Sequence, residues 1–407
     1  MTTGLDPVAT AASASCGRLV AFLAARWGDL AAAEDAVGDA LLAALERWPE
    51  DGVPDRPEAW LMRVAKRRLL DDARRARVRT TAAPLVARLA ALRADAPEFH
   101  PFPDKRLALL FMCAHPAIDP SLHAPLMLQS ILRIDAERIA SAFLISPAAM
   151  RQRLVRTKRK IRDARLSFEL PAEDECGPRV DSVLRAIYAT YGAGWDDPHD
   201  TRGEGLASEA ESLARMVVEL RPDEPEALGL LALILFCEGR TRARRSADGT
   251  FVPLLEQNPA DWDRARIGEA ETILRRAASR RRPGRFQLEA AIQSGHCMRV
   301  DGHDTPWGSI DAMYRQLVAL APTLGNLCAA AVARSHASGV AEGWRLLESV
   351  DAGAARSYQP YWAARAHLLE RMGRTQDAGD AYRKAAALTV DQAVQSYLRS
   401  RAGSCSR

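Results

Sequence analysis

An all-α fold is predicted by three observations. In segment after segment the apolar residues return at helical steps, and beyond residue 178 helix follows helix with no strand-like alternation of note. A short helical pattern stops before Ser146-Pro147 and a longer one starts at once, as a helix-turn-helix over 135–165 requires. Near the end, small and aromatic residues stand at fixed helical intervals across 362–388, the arrangement that lets paired helices approach closely. The 407 residues exceed what one core usually organises, so two or three domains are expected, and 48% apolar with 27% charged residues places the chain among ordinary globular proteins.

From the N-terminus, Leu19, Val20, Phe22, Leu23 and Trp27 mark a helix over 13–27, and Asp29 begins the next. In LAAAEDAVGDALLAALERWP the spacing puts Val37, Leu41, Leu45 and Trp48 on a packing side, and Asp35, Asp39, Leu42 and Glu46 on the other as an acidic stripe holding a leucine. DGVPDRP, 51–57, is a turn whose last proline can open PEAWLMRVAKRRLLDDARRARVR. There Arg63, Lys66, Arg67 and Arg74 share one side, with Trp60, Leu61, Val64 and Ala65 available for packing. Trp60 has two readings, a core aromatic or a platform on which an unpaired base stacks.

Residues 80–104 mix a short apolar helix with a proline-rich tail and read as a linker. KRLALLFMCAHPA and PSLHAPLMLQSIL then build the body that carries the helix-turn-helix, so two small helical modules are expected on a tether, each with one basic helix. In the helix-turn-helix, Ile139, Ala140, Phe143 and Leu144 bury the first helix, Ser146 and Pro147 cap the second, and Met150, Leu154, Thr157 and Ile161 anchor it. Away from that anchor lie Arg151, Gln152, Arg153, Arg156, Arg159 and Lys160, with Lys158, Arg162 and Arg165 extending the basic surface. Such a helix suits an anionic groove: Arg and Gln near its start can make paired hydrogen bonds to base edges, and later cations neutralise phosphates. A merely solvated basic face is the plainer alternative.

Residues 1–170 hold 26 Lys and Arg against 20 Asp and Glu, while 171–407 hold 30 against 32, so the nucleic-acid signal belongs to the first part. Seven cysteines without a CxxC pair argue against a disulfide framework or structural zinc and for a reducing cytoplasm. Cys113 and His115, with His100 and His123 not far off, lack a second cysteine at ligand spacing, and Cys113 reads as a small apolar residue of a buried helix. No metal or cofactor is expected. Neither a leader nor a bilayer-length apolar run is seen, LGLLALILFC being too short, and no phosphate-binding glycine loop, HExxH or Ser/His/Asp arrangement points to an enzyme.

AEDAVGDALLAALERWP, PEAWLMRVAKRRLLDDARR and the later helix-turn-helix stand in the order found in extracytoplasmic-function (ECF) sigma factors of the sigma-70 type, which the chain resembles. FPDKRLALLFMCAHPAIDP, RLVRTKRKIRDA and PDEPEALGLLALIL bring it closer to the subgroup with a helical C-terminal extension. The resemblance implies region 2 over 1–79, the linker over 80–104, a region 4 helix-turn-helix over 105–166 and a tetratricopeptide-like extension over 167–407. It also implies that Glu34, Asp35 and Asp39 dock on RNA polymerase core, that Trp60, Arg63, Lys66 and Arg67 capture and help melt the minus-ten element, and that Arg151, Gln152, Arg153, Arg156 and Lys158 bind the minus-thirty-five duplex. Gly38 stands where many members have Gln, and Arg67 where many have Asn.

In the extension, 240–263 contains an Asp-Gly turn and predicts a loop or small hairpin, and SRRRPGR, 279–285, separates two helices. Trp362, Gly373, Ala378, Tyr382 and Ala385 match the spacing of a tetratricopeptide unit, with Ala366 where Gly is common. Gly192-Ala193 and Asn258-Pro259 depart from the pairs usual in the subgroup. The leading expectation is an alternative sigma factor, not itself catalytic, whose extension binds a protein or peptide and governs activity. A stand-alone helix-turn-helix regulator and a repeat-based adaptor are the alternatives.

Overall fold

The computed structural model describes residues 6–79, 105–132, 134–143, 145–166, 168, 173–195 and 206–405. Among them every extended regular element is a helix, and strand pairing is limited to an isolated antiparallel bridge between Arg245 and Phe251. The chain divides into two compact units, one of residues 1–195 and 204–213, the other of 196–203 and 214–407. The expected linker at 80–104, His100 and Leu144 lie outside the described residues.

The first unit opens with α1 (Asp6–Trp27), α2 (Leu30–Asp51) and α3 (Pro57–Arg79), packed on one another. Helix α1 starts ahead of the periodic stretch because its first turns carry alanine and serine, which leave no apolar stripe to read. Asp29 caps α2 by accepting from the Ala32 amide at 3.0 Å, and Pro57 opens α3 as its fixed φ favours. The buried side of α2 differs from the leucine stripe. Ala33, Ala36, Val37, Ala40, Ala44 and Trp48 face inward, Leu41 is half-buried, and Leu45 is 43% exposed beside Leu42 at 60%. Alanines on that side let α2 lie close to its neighbours, a preference for small volume that a ranking by hydrophobicity misses.

Helices α4 (Arg106–Cys113), α5 (Pro120–Leu132), α6 (Ala136–Ala142) and α7 (Pro147–Asp163) form the second module. Helix α8 (Glu173–Trp195), from the predicted extension, packs on α4 and α5 in the same unit. The two modules are joined directly: α1 lies against α4 and α5, and α2 against α7. Gly17 explains how closely α1 approaches, since a Cβ there would sit 2.3 Å from the Ile131 carbonyl oxygen. Arg106, buried at the start of α4, donates to the Glu209 carboxylate.

Helix α9 (Leu206–Leu220) is divided between the units. In the second unit α10 (Pro225–Glu238) is buried on nearly every side, as an all-round apolar helix must be, and packs on α11 (Arg264–Ser279) and α12 (Arg285–Cys297). Then α13 (Trp307–Leu320), α14 (Leu324–Ala337), α15 (Val340–Glu348), α16 (Ala352–Ala355), α17 (Gln359–Arg371), α18 (Thr375–Leu388) and α19 (Gln392–Ser404) follow, consecutive long helices packing in pairs. Between α17 and α18 Gly373 takes φ +76°, and Ala366, Ala378, Tyr382 and Ala385 are buried at the contact. The Asp-Gly signal is a turn: Gly249 has φ +82°, and the Ser246 amide donates to the Thr250 carbonyl beside the Arg245 to Phe251 bridge. The SRRRPGR stretch is a connection in which Arg280 pairs with Asp223.

Candidate nucleic-acid interface

The helix-turn-helix is built as its residues require. Ile139 and Ala140 are buried on α6, and the Ser146 hydroxyl caps α7 by accepting from the Ala149 amide at 3.3 Å, with Pro147 as the first helical residue. The buried residues of α7 are Met150, Leu154, Thr157 and Ile161, the four spaced for that purpose. Thr157 is satisfied there by donating to the Arg153 carbonyl at 2.9 Å.

The opposite side of α7 is a bare basic surface. Arg151, Gln152, Arg153, Arg156 and Arg159 are exposed; Arg151 makes only a loose pair with Glu137 at 3.7 Å, and the Arg156 Nε rests 3.4 Å from the Gln152 carbonyl. Arg153, Arg156 and Lys160 also line a cleft of about 490 Å³ shared with Asp119 and Ser121 at the start of α5. Asp119 accepts from the Ser121 amide, which holds its carboxyl below the ordinary carboxylate range. The exposed arginines therefore stand together on one helix.

Helix α3 presents the second row. Arg63 and Arg67 are exposed and Lys66 half-buried, while Trp60 is half-buried with its ring edge-on to buried Trp48 at 5.4 Å between centroids. Trp60 thus belongs partly to the core and keeps part of its surface outside it. Neither basic helix is enclosed by its own framework.

Two predicted site residues are found on each other. The Lys158 Nζ lies 2.5 Å from Glu34 Oε2 and 2.6 Å from Gln129 Oε1, the ion pair being only 10% and 12% exposed in its side chains. Lys158 is thus not on the open basic surface, and Glu34 is not on the open acidic stripe. Of the other α2 carboxylates, Asp35 is exposed, and Asp39 accepts from Arg68 of α3 at 2.6 Å across a more exposed pair. That pairing raises the Arg68 guanidinium above its ordinary value, the hydrogen bond to Asp39 being the largest cause.

Some participants escaped the sequence reading. Gln129 and Gly17 come from helices distant in sequence from their partners and carry no local signal. Val155, 58% exposed among the arginines of α7, had one: it falls outside the anchor periodicity and is apolar where the face is polar. Near Glu34 and Lys158, Cys113 is fully buried, and burial pushes its thiol far up, with Glu34 adding to the effect. His123 is buried with Nε2 3.0 Å from the Ile118 carbonyl, and burial lowers its imidazole. No group of three metal-ligating side chains occurs among the described residues, and no described helix is long and apolar enough to cross a membrane.

Comparison with known proteins now adds a class to this geometry. The sigma-70 region 2 family matches residues 14–79, covering the module of α1, α2 and α3, and supports a sigma-70 family sigma factor acting in transcription initiation. That domain implies interaction with RNA polymerase core and promoter DNA. Residues 179–278 match a family of unknown function, DUF6596. An uncharacterized protein of Rhizobium meliloti (strain 1021) is 34% identical over 375 residues, covering 90% of this chain and 88% of the relative. The chain belongs to one family with that relative. No solved structure matches it.

Proposed function

We propose that the protein is an alternative sigma factor of the extracytoplasmic-function type that binds RNA polymerase core, directs initiation at a specific class of promoter, and is governed by its C-terminal helical extension. The observation that carries this reading is the pairing of a sigma-70 region 2 module with a capped helix-turn-helix whose recognition helix keeps its arginines outward. In this assignment residues 1–79 act as region 2, 80–104 as linker, 105–166 as region 4 and 167–407 as a tetratricopeptide-like extension open to a protein or peptide partner.

Each basic helix has its own task. On α7, Arg151, Gln152, Arg153 and Arg156 read base edges of the minus-thirty-five duplex from an exposed face, and Arg159 meets phosphate. Lys158 reaches phosphate only when freed from Glu34. On α3, Trp60 offers the part of its ring not packed on Trp48 to an unstacked base, while Arg63, Lys66 and Arg67 follow the backbone of the opened strand. Asp35 and Asp39, with exposed Leu42 one turn further along, form the surface of α2 that meets polymerase. Glu34 joins them once its pair with Lys158 opens.

The test is run-off transcription from a randomised promoter library with purified core polymerase and the full chain. Enrichment of one promoter class is expected, with cleavage protection over both elements. Persistent absence of initiation, with operator-like binding by the protein alone, would replace this reading by that of a stand-alone regulator.

A further inference from the structure

From the last turns of α11 to the start of α12 the chain runs RRAASRRRPGR, residues 275–285, with six arginines and no acidic residue. Such a run stands out in an extension whose overall charge is close to balanced, 30 Lys and Arg against 32 Asp and Glu over 171–407. Three of the six have structural duties. Arg276 donates to the Pro222 carbonyl, Arg280 pairs with Asp223, and Arg285 pairs with Glu289 at 2.7 Å. Arg275, Arg281 and Arg282 are exposed and make no ion pair among the described residues. A cation or two complements the C-terminal end of a helix, which accounts for Arg276 and Arg280 and leaves the other three unexplained.

The stretch is also held in place. Glu226 of α10 accepts from the Phe286 and Gln287 amides at 2.8 and 3.2 Å, and the Gln287 side chain donates to the Arg282 carbonyl at 2.7 Å. Glu226 is thus spent on backbone groups, in the space that a Cβ at Gly284 would fill. Arg281 takes φ +54°, where glycine or asparagine would sit with less strain, so a cation is kept at a position whose backbone disfavours it.

We infer that this arginine cluster is a third DNA contact, through which the extension grips the phosphates of a duplex without reading its sequence. It deepens the sigma-factor reading and rests on it for the presence of that duplex. A duplex carries about one phosphate charge per 1.7 Å of its axis. Arg275 to Arg280 covers about 7.5 Å of helix, so several phosphates face the cluster at once. Guanidinium is the side chain suited to phosphate, which it can meet with two parallel hydrogen bonds. No large apolar or aromatic side chain occurs within 275–285, and Phe286 is 1% exposed. The cluster therefore lacks both the stacking platform that an unpaired strand uses and the apolar side chains that enter a membrane surface.

The full chain carrying Arg275→Gln, Arg281→Asn and Arg282→Gln tests this, asparagine being at ease in the left-handed backbone at 281. A control chain carries Arg345→Gln, Arg383→Gln and Lys384→Gln, three exposed cations of α15 and α18, and loses the same charge. Binding to a fluorescent random-sequence duplex is followed by anisotropy from low to moderate salt. The slope of log affinity against log salt should shrink by about 2.7 in the first variant, about 0.9 for each lost phosphate contact, and should match the parent in the control. Preference for the promoter class enriched from the library over random duplex should be the same in all three, because phosphate contacts carry no sequence information. If the first variant loses helical content by circular dichroism, Arg282→Gln, which lies outside both helices, carries the test with a slope loss of about 0.9. Equal slopes in parent and variant, or an equal loss in the control, would overturn the contact. So would a parent that binds polyglutamate more tightly than duplex, or that binds no duplex at low salt. The two readings fail separately: a parent that initiates transcription while the slope stays unmoved defeats only the third contact. A slope that moves in a chain that never initiates with polymerase defeats only the sigma-factor reading.

Discussion

Two carboxylates of helix α2, Asp39 and Glu34, pair with the two basic helices, and the pairs are opposites in kind. Asp39 and Arg68 meet at 2.6 Å with side chains 41% and 48% exposed, whereas Glu34 and Lys158 meet at 2.5 Å with 12% and 10% exposed. The first stays within the region 2 module and is bathed by water and salt, so its attraction is largely cancelled by solvation and side-chain ordering. The second joins two modules in a water-poor junction, where either charge alone is costly. Nearly equal distances therefore carry unequal consequences, and the buried pair is the one whose loss costs more.

The largest expected effect is on that pair. Lys158→Ala leaves the Glu34 carboxylate buried without its cation and should cost the closed unit about 3–5 kcal/mol in urea unfolding. The double substitution Glu34→Leu with Lys158→Met should recover most of the loss, because the desolvation cost disappears with the charges. A loss in the single variant no greater than that of an exposed pair would erase the contrast.

A buried group in the second unit sharpens it. Burial holds the His296 imidazole at about 4, below its ordinary 6.5. The folded form keeps that ring neutral while the unfolded chain takes up a proton, so stability is full above pH 6.5 and falls as pH drops toward 4. By pH 5 the cost from this ring alone is about 2 kcal/mol. Thermal melts of the parent and His296→Gln at pH 7 and pH 5 check this; the variant should lose less on acidification. Equal losses would show that burial at this ring does not govern its protonation.

Exposed groups should act through binding rather than folding. Arg156→Ala is expected to leave unfolding unchanged and to remove about 1–3 kcal/mol of discrimination at one base pair of the duplex, seen by competition with single-base variants. A uniform weakening across all sequences would reduce Arg156 to a phosphate contact. The smallest effect is that of Asp39→Asn, whose urea midpoint should stay within experimental scatter of the parent because its pair is open to solvent. A marked shift there would mean that the two pairs of α2 differ less than their exposure indicates.

Much of this architecture is local and could be read from the chain. Ser146-Pro147 set the start of α7, the intervals of Met150, Leu154, Thr157 and Ile161 set its buried side, and the remaining arginines had nowhere to go but outward. Asp29 and Pro57 fixed two further helix starts by chemistry confined to a single turn. The α2 stripe was legible only in part: Leu42 was placed outside as found, but Leu45 was placed inside on apolarity, and alanines took the tight contact instead. In the second unit the Asp-Gly turn was visible for the same local reason, whereas the stacking of the Trp307 and His336 rings at 4.1 Å joins helices whose sequence patterns contain nothing of each other.

The sequence by itself determined that the protein is helical, where its caps and turns fall, and which sides of α3 and α7 carry charge. These follow from bonds and periodicities spanning a few residues. Tertiary structure alone decided that Lys158 and Glu34, 124 positions apart, would be removed from their expected surfaces and closed on each other. No one-dimensional pattern marks such a pair, because each charge looks like any other solvated one until folding takes the water away.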